Sequence, residues 1–210
     1  MSLKIKICGM RHQENIEEIS SLKPDMIGFI FFPPSKRYAG EILDPSHLSC
    51  LPSSTKRTGV FVNETTDQIL NIVSKYTLDF VQLHGNEPAE QCSLIRKKRL
   101  GVIKTFSISE NFNFEKCSDY LPYTDYFLFD TSTPAYGGSG KKFRWEVLRN
   151  YKLAHPFFLS GGISADDTEK ILDLSVEGFY GIDLNSRFET EPGLKNYKML
   201  EKFISEIRKD

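Results

Sequence analysis

Side chains suited to proton transfer and anion binding stand at the ends of apolar runs in this chain of 210 residues. Cys8 and Asp130 each follow a short apolar run directly, and His84 ends a third run. Thiol, carboxyl and imidazole groups can all transfer protons when their surroundings tune the pKa. Arg37 lies in a loop-like segment and carries a planar guanidinium that fits a carboxylate or a phosphate. Taken singly, each has an ordinary alternative as a buried thiol, a loop cap, a polar strand end or a solvated charge.

Two glycine-containing segments late in the chain indicate an anion site. Ser160-Gly161-Gly162-Ile163 follows one apolar run and precedes a helix start, and Gly181–Ser186 ends the last run. Backbone N–H groups in such turns, together with a helix dipole, can face a phosphate. The segment Gly137–Lys142 is not a P-loop, because Lys142 stands where that motif requires Ser or Thr.

The elements that must position these residues are visible as eight apolar runs, spaced about 25 residues apart. They lack strict alternation, which predicts strands covered on both faces, as in a parallel sheet. The runs are Leu3–Ile7, Met26–Phe32, Thr58–Val62, Phe80–Leu83, Val102–Phe106, Tyr126–Phe129, Phe157–Leu159 and Gly178–Leu184. Amphipathic stretches lie between them, and the last helix carries Tyr197, Leu200, Phe203, Ile204 and Ile207 at spacings of three and four.

Eight strand–helix units in this length predict an α/β protein, a TIM barrel of the (β/α)8 type formed by residues 1–210 as a single domain. An open doubly wound sheet has the same alternation and stays open as the alternative. The helices near Pro45–Leu51 and Asn111–Tyr120 are weakly patterned, so we expect them to be short or irregular. The loops after the strands form the catalytic face of a barrel. The loop 131–143 has the composition of a mobile lid.

Composition limits the partners. With 27 Lys and Arg against 28 Asp and Glu, the formal net charge of −1 attracts neither nucleic acid nor an anionic membrane. No apolar run approaches the roughly 18 residues of a membrane span, and the N-terminus does not resemble a signal peptide. The four cysteines are scattered without C-x-x-C or clustered histidines, which predicts free thiols and no metal site. We expect a cytoplasmic monomer or homodimer.

Taken together, the motifs resemble the phosphoribosylanthranilate isomerase family, a (β/α)8 family of tryptophan biosynthesis. The resemblance covers almost the whole chain. It rests on Lys6–Met10, Gly28–Phe32, Ser35–Tyr38, Gly59–Asn63, Val81–Glu87, Leu128–Thr131, Gly137–Lys141 with Phe143 and Trp145, Leu159–Gly162, Gly181–Asp183 and Glu191–Lys195.

The resemblance implies a cofactor-free Amadori rearrangement. N-(5′-phosphoribosyl)anthranilate would become 1-(o-carboxyphenylamino)-1-deoxyribulose 5-phosphate. By position, Asp130 would be the acid that protonates the furanose ring oxygen, and Cys8 the base that removes the C2′ proton. We therefore expect cationic surroundings that lower the pKa of Cys8. Arg37 would hold the anthranilate carboxylate, and His84 lies in a pocket-facing motif with a supporting role.

The resemblance also implies a phosphate site, formed by Gly161, Gly162, Asp183, Asn185 and Ser186. Two segments depart from the family pattern. Asn185-Ser186-Arg187 replaces paired serines followed by Gly, and Lys142-Phe143-Arg144-Trp145 replaces Thr-Phe-Asp-Trp.

Two other classes of function stay open. One is a different phosphate-binding barrel enzyme. The histidine-pathway aldose isomerase would have Asp in place of Cys8, and indole-glycerol-phosphate synthase uses a set of lysines that Lys104 alone does not supply. The other is a non-catalytic barrel that binds a metabolite.

Overall fold

Eight parallel strands form a closed barrel in the computed structural model, which describes residues 3–131 and 144–208. Each strand pairs with the next along the chain, and the eighth pairs with the first. The strands are β1 (Lys4–Cys8), β2 (Met26–Ile30), β3 (Lys56–Phe61), β4 (Phe80–Leu83), β5 (Gly101–Ile108), β6 (Tyr126–Thr131), β7 (Phe157–Leu159) and β8 (Phe179–Leu184). All eight coincide with predicted runs. The predicted barrel is confirmed and the open sheet is excluded.

In the described part of the chain, five α-helices accompany the strands: α1 (Gln13–Ser20), α2 (Thr66–Tyr76), α3 (Ala89–Arg96), α4 (Thr168–Leu172) and α5 (Tyr197–Ile207). The predicted apolar stripe of α5 is confirmed, since Leu200, Phe203, Ile204 and Ile207 are buried. The weakly patterned second and fifth units are irregular as expected. Their connections are 3-10 helices at Pro45–Cys50 and Phe114–Tyr123, and the latter contains Pro122, which cannot donate a backbone hydrogen bond.

Three further 3-10 helices lie at Trp145–Asn150, Ala165–Asp167 and Ser186–Phe188. The last leads into a two-stranded antiparallel hairpin of β9 (Glu189–Glu191) and β10 (Leu194–Lys195). This hairpin follows the C-terminal end of β8. It therefore places the side chains of Glu189 and Lys195 beside the catalytic face of the barrel.

The interior of the barrel is filled at one end by apolar side chains. A cluster of Met26, Ile103, Leu128 and Phe158 is separate from the larger core beneath the helices. Tyr126 and Tyr180 pack against this cluster and stack on each other, with their ring centroids 4.8 Å apart. Both tyrosines stand at the N-terminal ends of their strands, so that end is closed and any cavity must open at the C-terminal end.

Within the described residues, no helix is both long enough and apolar enough to cross a membrane. The lid that the sequence predicts at 131–143 lies outside the described residues, apart from Thr131. Lys142 and Phe143, which belong to one of the two segments that differ from the family pattern, also lie outside the described residues.

Candidate active site

A pocket opens at the C-terminal ends of the strands. Eight of the nine site residues predicted from the sequence line it, and Arg37 is the exception. The lining residues are Cys8, Ile30, Phe32, Ser35, Val60, Val62, Gln82, His84, Asp130, Ser160, Gly161, Gly162, Ile163, Asp183, Asn185 and Ser186. The barrel thus brings together residues that are up to 178 positions apart in the chain.

Cys8 ends β1 and lies at the inner end of this pocket with only 3% of its surface exposed. Burial raises the pKa of its thiol above the usual value, while the charge of Lys6 opposes that increase. Asp183 raises the pKa further and Lys195 lowers it, but burial outweighs the rest. The expectation of a lowered pKa for Cys8 is therefore wrong, because the barrel interior withdraws the thiol from water.

Lys6 was missed by the sequence reasoning, although it stands two residues before Cys8 on the same face of β1. Its side chain is fully buried, and its ammonium donates to Asp183 Oδ1 at 2.7 Å. The pairing follows from barrel closure, because Lys6 and Asp183 are register partners on β1 and β8. Ser160 donates to the other carboxylate oxygen of Asp183 at 3.2 Å. A buried ion pair thus lies beneath the pocket.

Asp130, the predicted acid, ends β6 in contact with His84. Its Oδ1 accepts the backbone N–H of Thr131 at 2.7 Å, and its Oδ2 lies 3.4 Å from His84 Nε2. On the other side of the ring, the Gln82 amide nitrogen lies 2.8 Å from His84 Nδ1. With the amide donating, Nδ1 accepts and the neutral ring carries its proton on Nε2, toward Asp130. Gln82 therefore orients His84, and His84 orients Asp130.

The position of His84 is reinforced by Glu87, which follows it in the same loop. The Glu87 carboxylate accepts backbone N–H groups of Asn63 and Gly85 and the ammonium of Lys104 at 2.8–3.0 Å. Lys104 also donates to the Gly85 carbonyl, and its side chain is only 3% exposed. Through Glu87, Lys104 links the loop after β3 to the loop after β4. Lys104 does not line the pocket, and among the residues that the structure describes no lysine lines it.

The loop after β7 approaches the end of β6 closely. Gly161 and Gly162 have φ values of +91° and +69°, which residues with a side chain rarely adopt. A Cβ on Gly161 would overlap Thr131 Oγ1 and lie 2.9 Å from Asp130 Oδ1. Only a backbone without side chains fits at this edge of the pocket, and that backbone is left facing the cavity.

The loop after β8 is held from below by Lys195. The ammonium of Lys195 donates to Asn185 Oδ1 at 2.8 Å and also bonds Glu189. Its backbone is fixed by Asn15 through two hydrogen bonds of 2.7 and 3.0 Å. Burial lowers the pKa of Lys195, although Glu189 opposes that effect. A buried cation therefore fixes the side chain of Asn185, which precedes Ser186 in the loop after β8.

Arg37 does not line the pocket but lies next to it. Its side chain is 12% exposed and packs against Gly9, where a Cβ would lie 2.8 Å from Arg37 Cδ and 2.9 Å from Asn185 Oδ1. The guanidinium makes a bidentate pair with Glu189, with three contacts of 2.6–3.0 Å. Burial alone would raise the pKa of Glu189, but Arg37 and Lys195 lower it below its usual value. The sequence offered no sign of this pairing.

Among the residues that the structure describes, no group of three or more His, Cys, Asp or Glu side chains is placed to hold a metal ion. The pocket instead combines a thiol, a carboxyl group with an orienting imidazole, and glycine-rich backbone. Such a site can move protons on a small anionic molecule.

Comparison with known proteins gives a consistent result. A family model described as N-(5′-phosphoribosyl)anthranilate (PRA) isomerase matches residues 5–206. The N-(5′-phosphoribosyl)anthranilate isomerase of Parabacteroides distasonis is 46% identical over 206 residues, covering 97% of this chain and 92% of the relative.

Two solved structures are similar in fold and sequence. One is phosphoribosyl anthranilate isomerase in complex with reduced 1-(o-carboxyphenylamino)-1-deoxyribulose 5-phosphate, with 31% identity, 98% coverage of both chains and a TM-score of 0.83. The other describes monomers generated from the dimeric phosphoribosylanthranilate isomerase of Thermotoga maritima, with 31% identity, 98% coverage of both chains and a TM-score of 0.78.

Proposed function

The chain belongs to the N-(5′-phosphoribosyl)anthranilate isomerase family, and from that premise we propose that Cys8 and Asp130 are the base and acid of its reaction. The protein is an isomerase of tryptophan biosynthesis whose ligand is a small phosphorylated molecule. The reaction is the Amadori rearrangement of N-(5′-phosphoribosyl)anthranilate. The observation that carries the assignment is that Cys8 and Asp130 line one pocket at the strand ends.

In the first step, Asp130 gives its proton to the furanose ring oxygen. The C1′–O bond breaks, the ring opens and the anthranilate nitrogen becomes part of an iminium. In the second step, the Cys8 thiolate takes the proton from C2′. The C–H electrons form a C1′–C2′ double bond while the iminium electrons return to nitrogen, and the resulting enolamine tautomerises to the ketone. The His84 Nε2 proton and the Thr131 N–H stabilise the Asp130 carboxylate that the first step produces.

We assign the phosphate to Gly161, Gly162, Asn185 and Ser186. The positive φ values of the two glycines leave backbone without side chains against the cavity, and Lys195 adds a buried positive charge behind Asn185. Asp183 was predicted as a fifth phosphate residue. Its two carboxylate oxygens already accept from Lys6 and Ser160, and a carboxylate has no proton to offer a phosphate. The proposal therefore gives Asp183 no direct contact with phosphate.

Arg37 is assigned to the substrate carboxylate. Its stem lies over Gly9 and beside Asn185, at the rim of the pocket. Glu189 occupies Nε and Nη2, and among the described residues Nη1 has no acceptor. A carboxylate can therefore bind at Nη1 without displacing Glu189.

The remaining assignments of the proposal concern the whole molecule. We assign residues 1–210 to one domain, as monomer or homodimer, in the cytoplasm. The Thermotoga maritima relative is described as dimeric. Sedimentation of the purified chain at micromolar concentration separates the two oligomeric states.

The decisive experiment compares single replacements of the two proposed catalytic groups. Turnover of phosphoribosylanthranilate, followed by loss of substrate fluorescence, should fall by roughly 10²–10⁴ in Cys8→Ala and in Asp130→Asn. Matched controls are Cys50→Ser and Asp67→Asn, which alter exposed residues outside the pocket and should keep the parental rate. Circular dichroism verifies the fold of each variant. A near-parental rate in either pocket variant contradicts the assignment.

A further inference from the structure

We propose that Lys6, held in place by Asp183, is a positioning residue that makes Cys8 able to act as a base. The inference rests on the proposed function of Cys8 and extends it to a residue that does not line the pocket. It gives a role to Lys6, whose charged side chain is fully buried inside the barrel.

The geometry begins with strand alternation. Lys6 and Cys8 are two residues apart on β1, so both side chains point into the barrel. Across the ladder, Gly28 of β2 is the register partner of Cys8. A Cβ on Gly28 would lie 2.7 Å from Cys8 Sγ and 3.2 Å from Lys6 Nζ. The absence of a side chain at Gly28 therefore provides the space in which the thiol and the ammonium lie side by side.

The charge of Lys6 is maintained by its partner. Withdrawing an ammonium from water is unfavourable, so a buried lysine without an anion tends to lose its proton. Asp183 at 2.7 Å removes that tendency and, despite burial, the pKa of Lys6 is raised. Ser160 fixes the other oxygen of Asp183. Lys6 is thus held in its charged form, and it opposes the increase that burial causes in the pKa of the neighbouring Cys8 thiol.

Other charged groups near Cys8 affect the pKa of its thiol less than Lys6 does. Lys195, from β10, lowers the pKa of the thiol, and Asp183, from β8, raises it, but the effect of Lys6 is the largest of the three. Asp130 and His84 reach the same pocket from the ends of β6 and β4. Lys195 is shared with Glu189 and Asn185, which divide its hydrogen bonds. Lys6 is therefore the cation on which the Cys8 thiolate chiefly depends.

The test measures the protonation of Cys8 directly. In a Cys50→Ser background, the rate of iodoacetamide alkylation at Cys8 is followed against pH by peptide mass spectrometry. Cys92 and Cys117 are buried with pKa values of about 11 and about 12, so they react little in the folded protein. Lys6→Met removes the charge and retains an unbranched side chain. We expect the alkylation midpoint to move upward by about one pH unit or more, with alkylation roughly tenfold slower below the midpoint.

Two further variants keep the test decisive. Lys6→Arg retains a cation and should restore the midpoint toward that of the parent. Lys6→Met with Asp183→Leu replaces the ion pair by apolar side chains, a change that buried pairs often tolerate, and its midpoint should also lie above the parental value. An unchanged midpoint in either folded variant that lacks Lys6 would overturn the proposal.

The same proteins separate this inference from the proposed function. If Cys8 is the base, Lys6→Met should lower kcat/KM about in proportion to the loss of thiolate, with little change in KM. A shifted midpoint in a parental protein that does not turn over phosphoribosylanthranilate would refute the proposed function and leave the role of Lys6 intact. Turnover that depends on Cys8 together with an unshifted midpoint would refute only the role of Lys6.

Discussion

Arg37 and Glu189 form a bidentate ion pair at the rim of the pocket, across 152 positions of sequence. Glu189 also bonds Lys195, which in turn bonds Asn185. One buried carboxylate thus connects the loop after β2, where we place the substrate carboxylate, with the loop after β8, where we place the phosphate. The two ends of the substrate would be held by elements that share a single anion.

Replacing Arg37 tests the carboxylate end of this arrangement. Arg37→Met should raise KM for phosphoribosylanthranilate by roughly 10–100-fold, because a hydrogen bond to a charged group contributes about 1.5–3 kcal/mol. The change in kcat should be small if the contact is equal in the ground state and the transition state. Steady-state kinetics measure both parameters. Arg57→Met, at the start of β3 on the opposite end of the barrel, is the control and should leave KM unchanged.

Glu189 should contribute stability that depends on pH. Its pKa is lowered in the folded protein, so the contribution is fully present above the unfolded-state pKa and is lost as pH falls through the folded-state value. Glu189→Gln leaves the buried Lys195 and the half-buried Arg37 without an anion, which should cost about 3–5 kcal/mol near pH 7. The difference from the parent should shrink progressively in acid.

Urea unfolding at pH 7, 5, 4 and 3 measures that difference. Glu191→Gln, on the same hairpin but exposed, is the matched control and should have little effect at any pH. A destabilisation of Glu189→Gln that stays constant over this range would show that the residue acts through packing instead of charge.

The strands and the proposed catalytic pair were accessible from sequence for a physical reason. Parallel strands covered on both faces must be apolar almost throughout, so their ends are marked by the first polar residues. Asp130 is such a residue, whereas Cys8 and His84 end runs that already contain Lys6 and Gln82, and barrel closure gathers all three ends at one face. The five-residue helix α4 gives a weaker signal, because its last residue, Leu172, is apolar in the sequence but 54% exposed in the structure.

The supporting charges were not accessible in the same way. Lys6 lies inside the predicted run Leu3–Ile7, where nothing in the sequence marks its charge as buried, and its burial follows only from the pairing of β1 with β8. Glu189 and Lys195 lie in a short hairpin that carries no marked apolar pattern. Their importance depends on Arg37 from a distant loop. Local patterns specify elements, whereas long-range ion pairs require the assembled barrel.

His84 should act through Asp130. His84→Ala removes the imidazole proton directed at Asp130 Oδ2, and the Gln82 amide nitrogen retains only Thr105 as an acceptor. We expect kcat to fall by roughly 10–100-fold, because small displacements of a catalytic group have effects of that size. KM should change less. His47→Ala, in the 3-10 helix outside the barrel, is the control; a large change in KM with unaltered kcat for His84→Ala would instead indicate substrate binding.

Gly161 and Gly178 provide a matched pair for the close approach of the loop after β7. Both have strongly positive φ, +91° and +83°, so alanine at either position should cost stability of at least about 1 kcal/mol. Their surroundings differ. A Cβ on Gly161 meets Thr131 and Asp130 at the pocket, whereas a Cβ on Gly178 meets the His155 carbonyl oxygen at 2.6 Å, at the start of β8.

The two alanine variants should therefore separate strain from catalysis. Gly161→Ala must displace the end of β6 and with it the proposed acid, so kcat should fall by about 10²-fold in addition to the loss of stability. Gly178→Ala should lose comparable stability and keep its kcat. Urea unfolding and steady-state kinetics on both variants make the comparison. Equal kcat values would mean that the Asp130 carboxyl tolerates a shift of its strand end, and the close approach of Gly161 would then serve the fold alone.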